Sequence, residues 1–302
     1  MASVATATFA DRLADAVERK RSQLVVGLDP RLDLLPVELR GEAVLGRAEA
    51  ASAYARFCCG IIDAVAPYVV AVKPQIAFFE ALGGDGFSAL ERVCDYGRAA
   101  GLLVIADGKR GDIGSTARAY ASAYLEPRDE REPLADALTV NTYLGGDSVE
   151  PFLQACRLHG AGIFCLVRTS NPGAGDVQEL TLSDGRRVWQ HVAALVGEWG
   201  ADLTGERGLS SVGAVVGATV PRAVAEARKL LPRAVLLLPG VGAQGATAAD
   251  VARAFTSGPA SALATASRSV IFAYRGSTQD WRSAAGAEAA RLRAEVWSVS
   301  GW

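Results

Sequence analysis

Histidine is nearly missing from this chain: His159 and His191 are the only two in 302 residues. Both fall in segments of helical period, away from any glycine-rich turn. A zinc site built on imidazoles or a Ser-His-Asp triad therefore has almost nothing to work with. Cysteine is scarce as well. Cys58, Cys59, Cys94, Cys156 and Cys165 make an odd count of five with no CxxC spacing. That argues against a disulfide framework or a thiolate metal cage, and the five read as reduced core residues. No stretch approaches the roughly 18 uninterrupted apolar residues that span a bilayer. The formal charge is only −2, and no Lys/Arg cluster interleaved with aromatics occurs, so a nucleic-acid surface has no footprint. The N-terminus, MASVATATFADRLADAVERKRS, lacks the basic start and apolar core of a secretory leader and carries acids that transit peptides avoid. A cytoplasmic location is the expectation.

One shortage is more pointed. Of 31 basic residues only four are lysine: Lys20, Lys73, Lys109 and Lys229. A chain that otherwise takes arginine for positive charge keeps lysine at two strand ends, where a compact ammonium that can give up a proton differs most from a guanidinium that cannot. Lys20 and Lys229 fall on polar helix faces and read as solvated.

What the sequence has in quantity is hydrophobicity, at 50% of residues, arranged as short runs rich in Val, Ile and Leu. Eight such runs read as strands, at 23–29, 68–74, 102–108, 137–143, 162–169, 212–219, 234–241 and 261–267. Segments of helical period alternate with them, at 46–65, 77–99, 115–125, 148–159, 186–202, 221–231, 245–256 and 279–298, with an extra helix at 8–21 before the first strand. Near-continuous apolar strands are covered on both faces, and eight βα units close more naturally as a (β/α)8 TIM barrel than as an open sheet. No linker or low-complexity tract divides residues 1–302, so one α/β barrel domain is expected. The longest irregular piece, 170–188, reads as an active-site loop with a small hairpin.

Alternating charges follow the third strand in IADGKRGDIGST, residues 105–116. Side chains two apart share a strand face, so Leu103, Ile105, Asp107 and Lys109 line one side. The same parity groups Val69, Ala71 and Lys73 on strand 2, and Val25, Gly27 and Asp29 on strand 1. If that side faces the barrel axis, Asp29, Lys73, Asp107 and Lys109 converge at the C-terminal mouth, where barrel enzymes do their chemistry. Each charge alone could be a solvated strand end; four on one mouth form a charged array. PGVGAQG (239–245) after strand 7 and ASRSVI (266–271) after strand 8 offer glycine N–H groups, Gln244 and Arg268 at the usual phosphate site of such barrels.

These residues resemble the orotidine 5′-phosphate decarboxylases, of the longer bacterial type. DGKRGDI is similar to that family's D-x-K-x-x-D-I signature, and LDPR, VKPQIAFFE, TSNPGAG and PGVGAQG fit in the same order over roughly residues 23–275. The resemblance implies a barrel homodimer that converts the nucleotide orotidine 5′-monophosphate (OMP) to UMP and CO2, the last step of pyrimidine nucleotide synthesis, without metal or cofactor. It implies that Lys109 protonates C6, that Asp107 flanks the substrate carboxylate, that Lys73 bridges the array to the ribose, and that Asp29 binds a ribose hydroxyl. Asp112 and Thr116 resemble residues that reach into the partner's site. Ser170 resembles the hydroxyl that reads the pyrimidine edge, while Gln244 and Arg268 resemble a phosphate clamp. Two rivals are a Mg²⁺-dependent sugar-phosphate decarboxylase or aldolase of the same superfamily, and a non-catalytic nucleotide-binding barrel. The first uses an acid where strand 2 here ends in Lys73, whose charge opposes a divalent cation. The second is disfavoured by an array with all four charges present.

Overall fold

A computed structural model describes residues 7–43, 45–129, 131–242 and 245–302. The eight apolar runs become eight strands: β1 (Leu24–Leu28), β2 (Ala71–Pro74), β3 (Leu103–Arg110), β4 (Ala137–Val140), β5 (Gly162–Arg168), β6 (Ser210–Val216), β7 (Ala234–Pro239) and β8 (Ala262–Ala266). Each pairs in parallel with the next, and β8 closes on β1. The alternation read from the sequence holds within the strands. Val25, Ala71, Ile105, Phe164 and Leu263 belong to the inner cluster, while Val26, Val72, Val104 and Leu138 pack outward against the helices. Burial on both faces is what made the strands read as unbroken hydrophobic runs.

The extra helix, Phe9–Lys20, closes the N-terminal end of the barrel. Thr8 caps it, its hydroxyl accepting the Asp11 N–H at 3.2 Å. Phe9, Leu13 and Val17 enter the inner cluster, and Phe9 meets Phe164 edge to face with centroids 5.8 Å apart. Arg12 pairs with Asp136, whose other oxygen accepts the Val104 N–H at 2.9 Å. With one end plugged, the opposite mouth is left for a ligand.

Several boundaries differ from the sequence reading, each for a local reason. β2 begins only at Ala71, after a bend at Val70; Val69 therefore joins the outer layer instead of sharing the face of Ala71 and Lys73. The helix expected over 77–99 splits into Ile76–Glu80 and Gly83–Ala99, because the chain turns through Gly83 at φ +67°, a conformation glycine adopts without a Cβ penalty. An unforeseen helix covers Val37–Ala43. The segment expected at 245–256 is only a short helix, Ala248–Val251, and a 3-10 turn, Ala252–Phe255. The final helix runs Trp281–Ser300, capped by Asp280 and anchored by Trp281 against Phe57 at 5.3 Å. Lys20 is not a solvated bystander. Its ammonium donates to the carbonyls of Ala66 and Val69 at 2.8 and 2.9 Å, and burial, with Arg19 beside it, pushes its pKa down to about 8. All five cysteines are free thiols, four of them buried and Cys59 half-buried. No helix is long and apolar enough to cross a membrane among the described residues.

Candidate active site

The strand ends at the open mouth enclose a cavity of about 510 Å³, within the range of small-molecule sites. Of the residues singled out in the sequence, Asp29, Lys73, Asp107, Lys109, Ser170 and Arg268 line it. Gln244 lies outside the described residues. Asp112 and Thr116 do not line the cavity. Asp112 sits just past β3, with its carboxylate accepting the Ile113 N–H at 2.8 Å, and Thr116 is exposed in the helix Gly114–Leu125.

Asp107 is the centre of the charged array. One carboxylate oxygen, Oδ2, accepts from Lys73 and, at 3.2 Å, from the Gln75 amide. The other, Oδ1, accepts from Lys109 at 2.5 Å and from the Thr139 hydroxyl at 3.1 Å. Four donors fill the carboxylate's acceptor capacity. Burial alone would push the Asp107 carboxyl up, but the charges and hydrogen bonds of Lys73 and Lys109 outweigh it and hold it well below the usual carboxylate range. Burial would likewise push Lys73 down; Asp107, and Asp29 beyond it, raise it instead. Asp107 and Lys73 are both charged across the physiological range, in the order plus, minus, plus from Lys73 through Asp107 to Lys109.

These shifts carry a stability prediction. Asp107, depressed in the fold, contributes fully above the unfolded carboxyl value of about 3.9, and that contribution is lost as pH falls through its folded value. Lys73, raised in the fold, contributes fully below about 10.4 and loses that contribution as pH rises through its folded value. Asp107→Asn strands the buried Lys73 ammonium beside a neutral amide, and the expected loss is about 3 kcal/mol at pH 7. Urea melts should show that gap flat from about pH 5 to 9 and closing in strong acid. An Asn variant as stable as the parent at pH 7 would contradict this account of the array.

The Lys109 ammonium arrives by an irregular route. β3 and β4 pair as Ala106 with Leu138 and then as Arg110 with Val140, so β3 bulges between them. Within the bulge Lys109 takes φ +47°, one of three such non-glycine residues described. Simple strand parity foresaw its direction but not this backbone, which costs roughly 1–3 kcal/mol for a residue with a side chain.

Around the array the wall divides by character. Leu166, Val215 and Leu237 supply an apolar side. On the β8–β1 side, Asp29 Oδ2 lies 2.5 Å from the Ser267 hydroxyl, while Asp29 Oδ1 and Thr265 Oγ1 are buried with no hydrogen-bond partner among the described residues. Such leftover groups in a cavity wall suit ligand hydroxyls. The loop after β5 folds back as expected, with a 3-10 turn at Pro172–Asp176 and an antiparallel bridge between Thr181 and Arg187. It is tied to the strand end by Gln178, which accepts the Thr169 N–H and donates to the Thr169 hydroxyl, both at 2.8 Å, and by the Arg168–Glu179 ion pair at 2.7 Å. Ser170 leans on Gly217, where a Cβ would come within 2.8 Å of the serine's own.

Sequence reading missed Gln75, Thr139, Gln178 and Thr265. Gln75 and Thr139 were within reach, because each continues the inward parity of its strand, two residues beyond Lys73 and Ala137. Gln178 lay in an irregular insertion that carries no periodic signal.

Known proteins supply the wider comparison. Residues 22–280, which contain all eight strands, match the family model described as orotidine 5′-phosphate decarboxylase / HUMPS family. The orotidine 5′-phosphate decarboxylase of Rhodopirellula baltica is 50% identical over 271 residues, 89% of each chain. That of Deinococcus radiodurans is 47% identical over 268 residues, 89% of this chain and 90% of its own. The crystal structure of a Streptomyces avermitilis protein aligns with TM-score 0.82 at 37% identity, covering 100% of this chain and 99% of that one. Leishmania donovani OMP decarboxylase aligns with TM-score 0.75 at 31% identity, covering 98% and 99%. With a family model matched over residues 22–280 and relatives up to 50% identical along most of their length, the kinship is plain: the chain belongs to the orotidine 5′-phosphate decarboxylase / HUMPS family.

Proposed function

We propose that this protein decarboxylates OMP to UMP and CO2, and that the Lys73–Asp107–Lys109 array is what does it. The carrying observation is a buried carboxylate held between two ammonium groups in a cavity of nucleotide size. OMP binds with its phosphate toward Arg268, beyond β8, with Gln244 as the second residue of the clamp. Asp29 takes a ribose hydroxyl through its unpartnered oxygen, with Lys73 between ribose and array. Ser170 hydrogen-bonds the pyrimidine edge, and Leu166, Val215 and Leu237 keep water from the ring. The substrate carboxylate then lies beside Asp107, where like charge opposes it, while the C6 carbon faces Lys109. The C6–carboxyl bond breaks, its electron pair stays on C6, and neutral CO2 leaves. The Lys109 ammonium, aligned before the reaction, stabilises that pair and delivers a proton to C6; solvent recharges the amine. Phosphate contacts remote from C6 supply binding energy that is realised at the transition state.

The site is completed by a second copy of the chain. Asp112 and Thr116 lie outside their own cavity, and the segments around them expose apolar side chains, Ile113 at 58% and Tyr143 at 81%. A two-fold homodimer covers those side chains and brings the partner's Asp112 and Thr116 to each mouth.

We propose that the reaction needs no metal: Lys73 lies at the end of β2, where the sugar-phosphate rival carries an acidic residue, and its positive charge opposes a divalent cation. OMP should therefore lose its ultraviolet absorbance and release CO2 at the same rate before and after exhaustive chelation. Absence of turnover would overturn the decarboxylase reading, and activity lost on chelation and restored by Mg²⁺ would favour the sugar-phosphate rival.

A further inference from the structure

The bulge that delivers Lys109 raises a question of its own: what holds a non-glycine residue at φ +47°? Gly108, which could adopt that conformation freely, sits next door and is not the residue that does so. The shift in pairing passes over Thr139, which has no Cα partner on β3 although its neighbours Leu138 and Val140 do. Its side chain, 1% exposed, takes up what the ladder leaves over. The Thr139 hydroxyl accepts the Lys109 backbone N–H at 2.9 Å and donates to Asp107 Oδ1 at 3.1 Å. A hydroxyl has one proton to give and lone pairs to receive, so both bonds can be made at once. Asp107 Oδ1 is also the oxygen that holds the Lys109 ammonium. One side chain is therefore bonded to the backbone of the proton donor and to the counter-ion of its side chain.

We infer that Thr139 is a positioning residue for the decarboxylation: its hydroxyl locks the left-handed backbone of Lys109 and the rotamer of Asp107, so that the ammonium is aimed before substrate arrives. The inference rests on Lys109 being the proton donor proposed above. Thr139 touches the donor and its counter-ion, so its loss misaligns the chemical step and leaves phosphate and ribose contacts in place.

The test is a three-variant series on the full-length protein. Thr139→Val keeps the shape and removes the hydroxyl; kcat should fall about 10- to 100-fold, as for loss of a hydrogen bond to a charged group. KM for OMP and Kd for UMP should stay within about two-fold of the parent. Thr139→Ser restores the hydroxyl without the methyl and should recover kcat to within about three-fold. Thr139→Ala, which cannot clash, should match the Val variant and serves in its place if Val prevents folding. Amide hydrogen exchange at Lys109, slow in the parent, should accelerate in the Val and Ala variants even with no substrate present. Full kcat without the hydroxyl, or a Ser variant as slow as Val, would show that Thr139 only fills space. An inactive parent whose Lys109 amide still depends on Thr139 would refute the decarboxylase reading and leave the backbone lock standing.

Discussion

Lys109→Ala is expected to lower kcat by about four orders of magnitude or more while the folded protein still binds UMP within a few-fold of the parent affinity. Two effects are lost together. Removing a preorganised electrostatic stabiliser of developing charge typically costs about 10²- to 10³-fold, and removing a positioned proton donor about 10²- to 10⁴-fold. Neither is felt fully in the ground state, because phosphate, ribose and pyrimidine edge are held by other side chains. Lys109→Arg should be nearly as impaired. The guanidinium holds its proton too tightly, and its planar fork does not fit where an ammonium lies 2.5 Å from Asp107 Oδ1. Stopped-assay kinetics on OMP with calorimetric titration of UMP checks both halves. Near-normal turnover by the Arg variant would remove Lys109 from the chemistry.

Mixing two inactive homodimers should restore activity. Each site is proposed to take Asp107 and Lys109 from one subunit and Asp112 from the other, so Lys109→Ala and Asp112→Ala homodimers each lack one member at every site. In a mixed dimer, the site built on the Asp112→Ala subunit keeps its own Lys109 and borrows an intact Asp112; the other site lacks both. Random exchange at equal concentrations makes half the dimers mixed, with one of their two sites whole, so activity should climb to about a quarter of the parent. Native mass spectrometry of the mixture verifies exchange independently. Exchange without recovery would place Asp112 within its own chain's site or outside the mechanism.

The barrel was legible because both faces of each strand are buried, which writes a hydrophobic run into the sequence eight times. The charged array was legible because a strand has period two. Asp29, Lys73 and Asp107 fall on the inward face by counting alone, and all three line the cavity. Counting failed where the backbone leaves the period. Val69 precedes a bend and faces outward, and the helix expected at 77–99 breaks at Gly83. The insertion after Ser170 offered only turn residues, so the grip of Gln178 on Thr169 had no periodic signal to betray it.

Sequence by itself determined the order and direction of the strands, the scarcity of histidine and cysteine, and which charges could meet, because these depend on residue type and on local periodicity. Tertiary structure decided how they meet. The route by which Lys109 reaches Asp107 depends on a register shift between β3 and β4, and a shift is a relation between two strands about thirty residues apart that neither encodes alone. The same holds for the burial that would neutralise Lys73 and Asp107 singly and keeps both charged as a pair. Desolvation and Coulomb attraction are set by the barrel that brings the strand ends within hydrogen-bonding distance, and only there do two ordinary side chains become one persistent array.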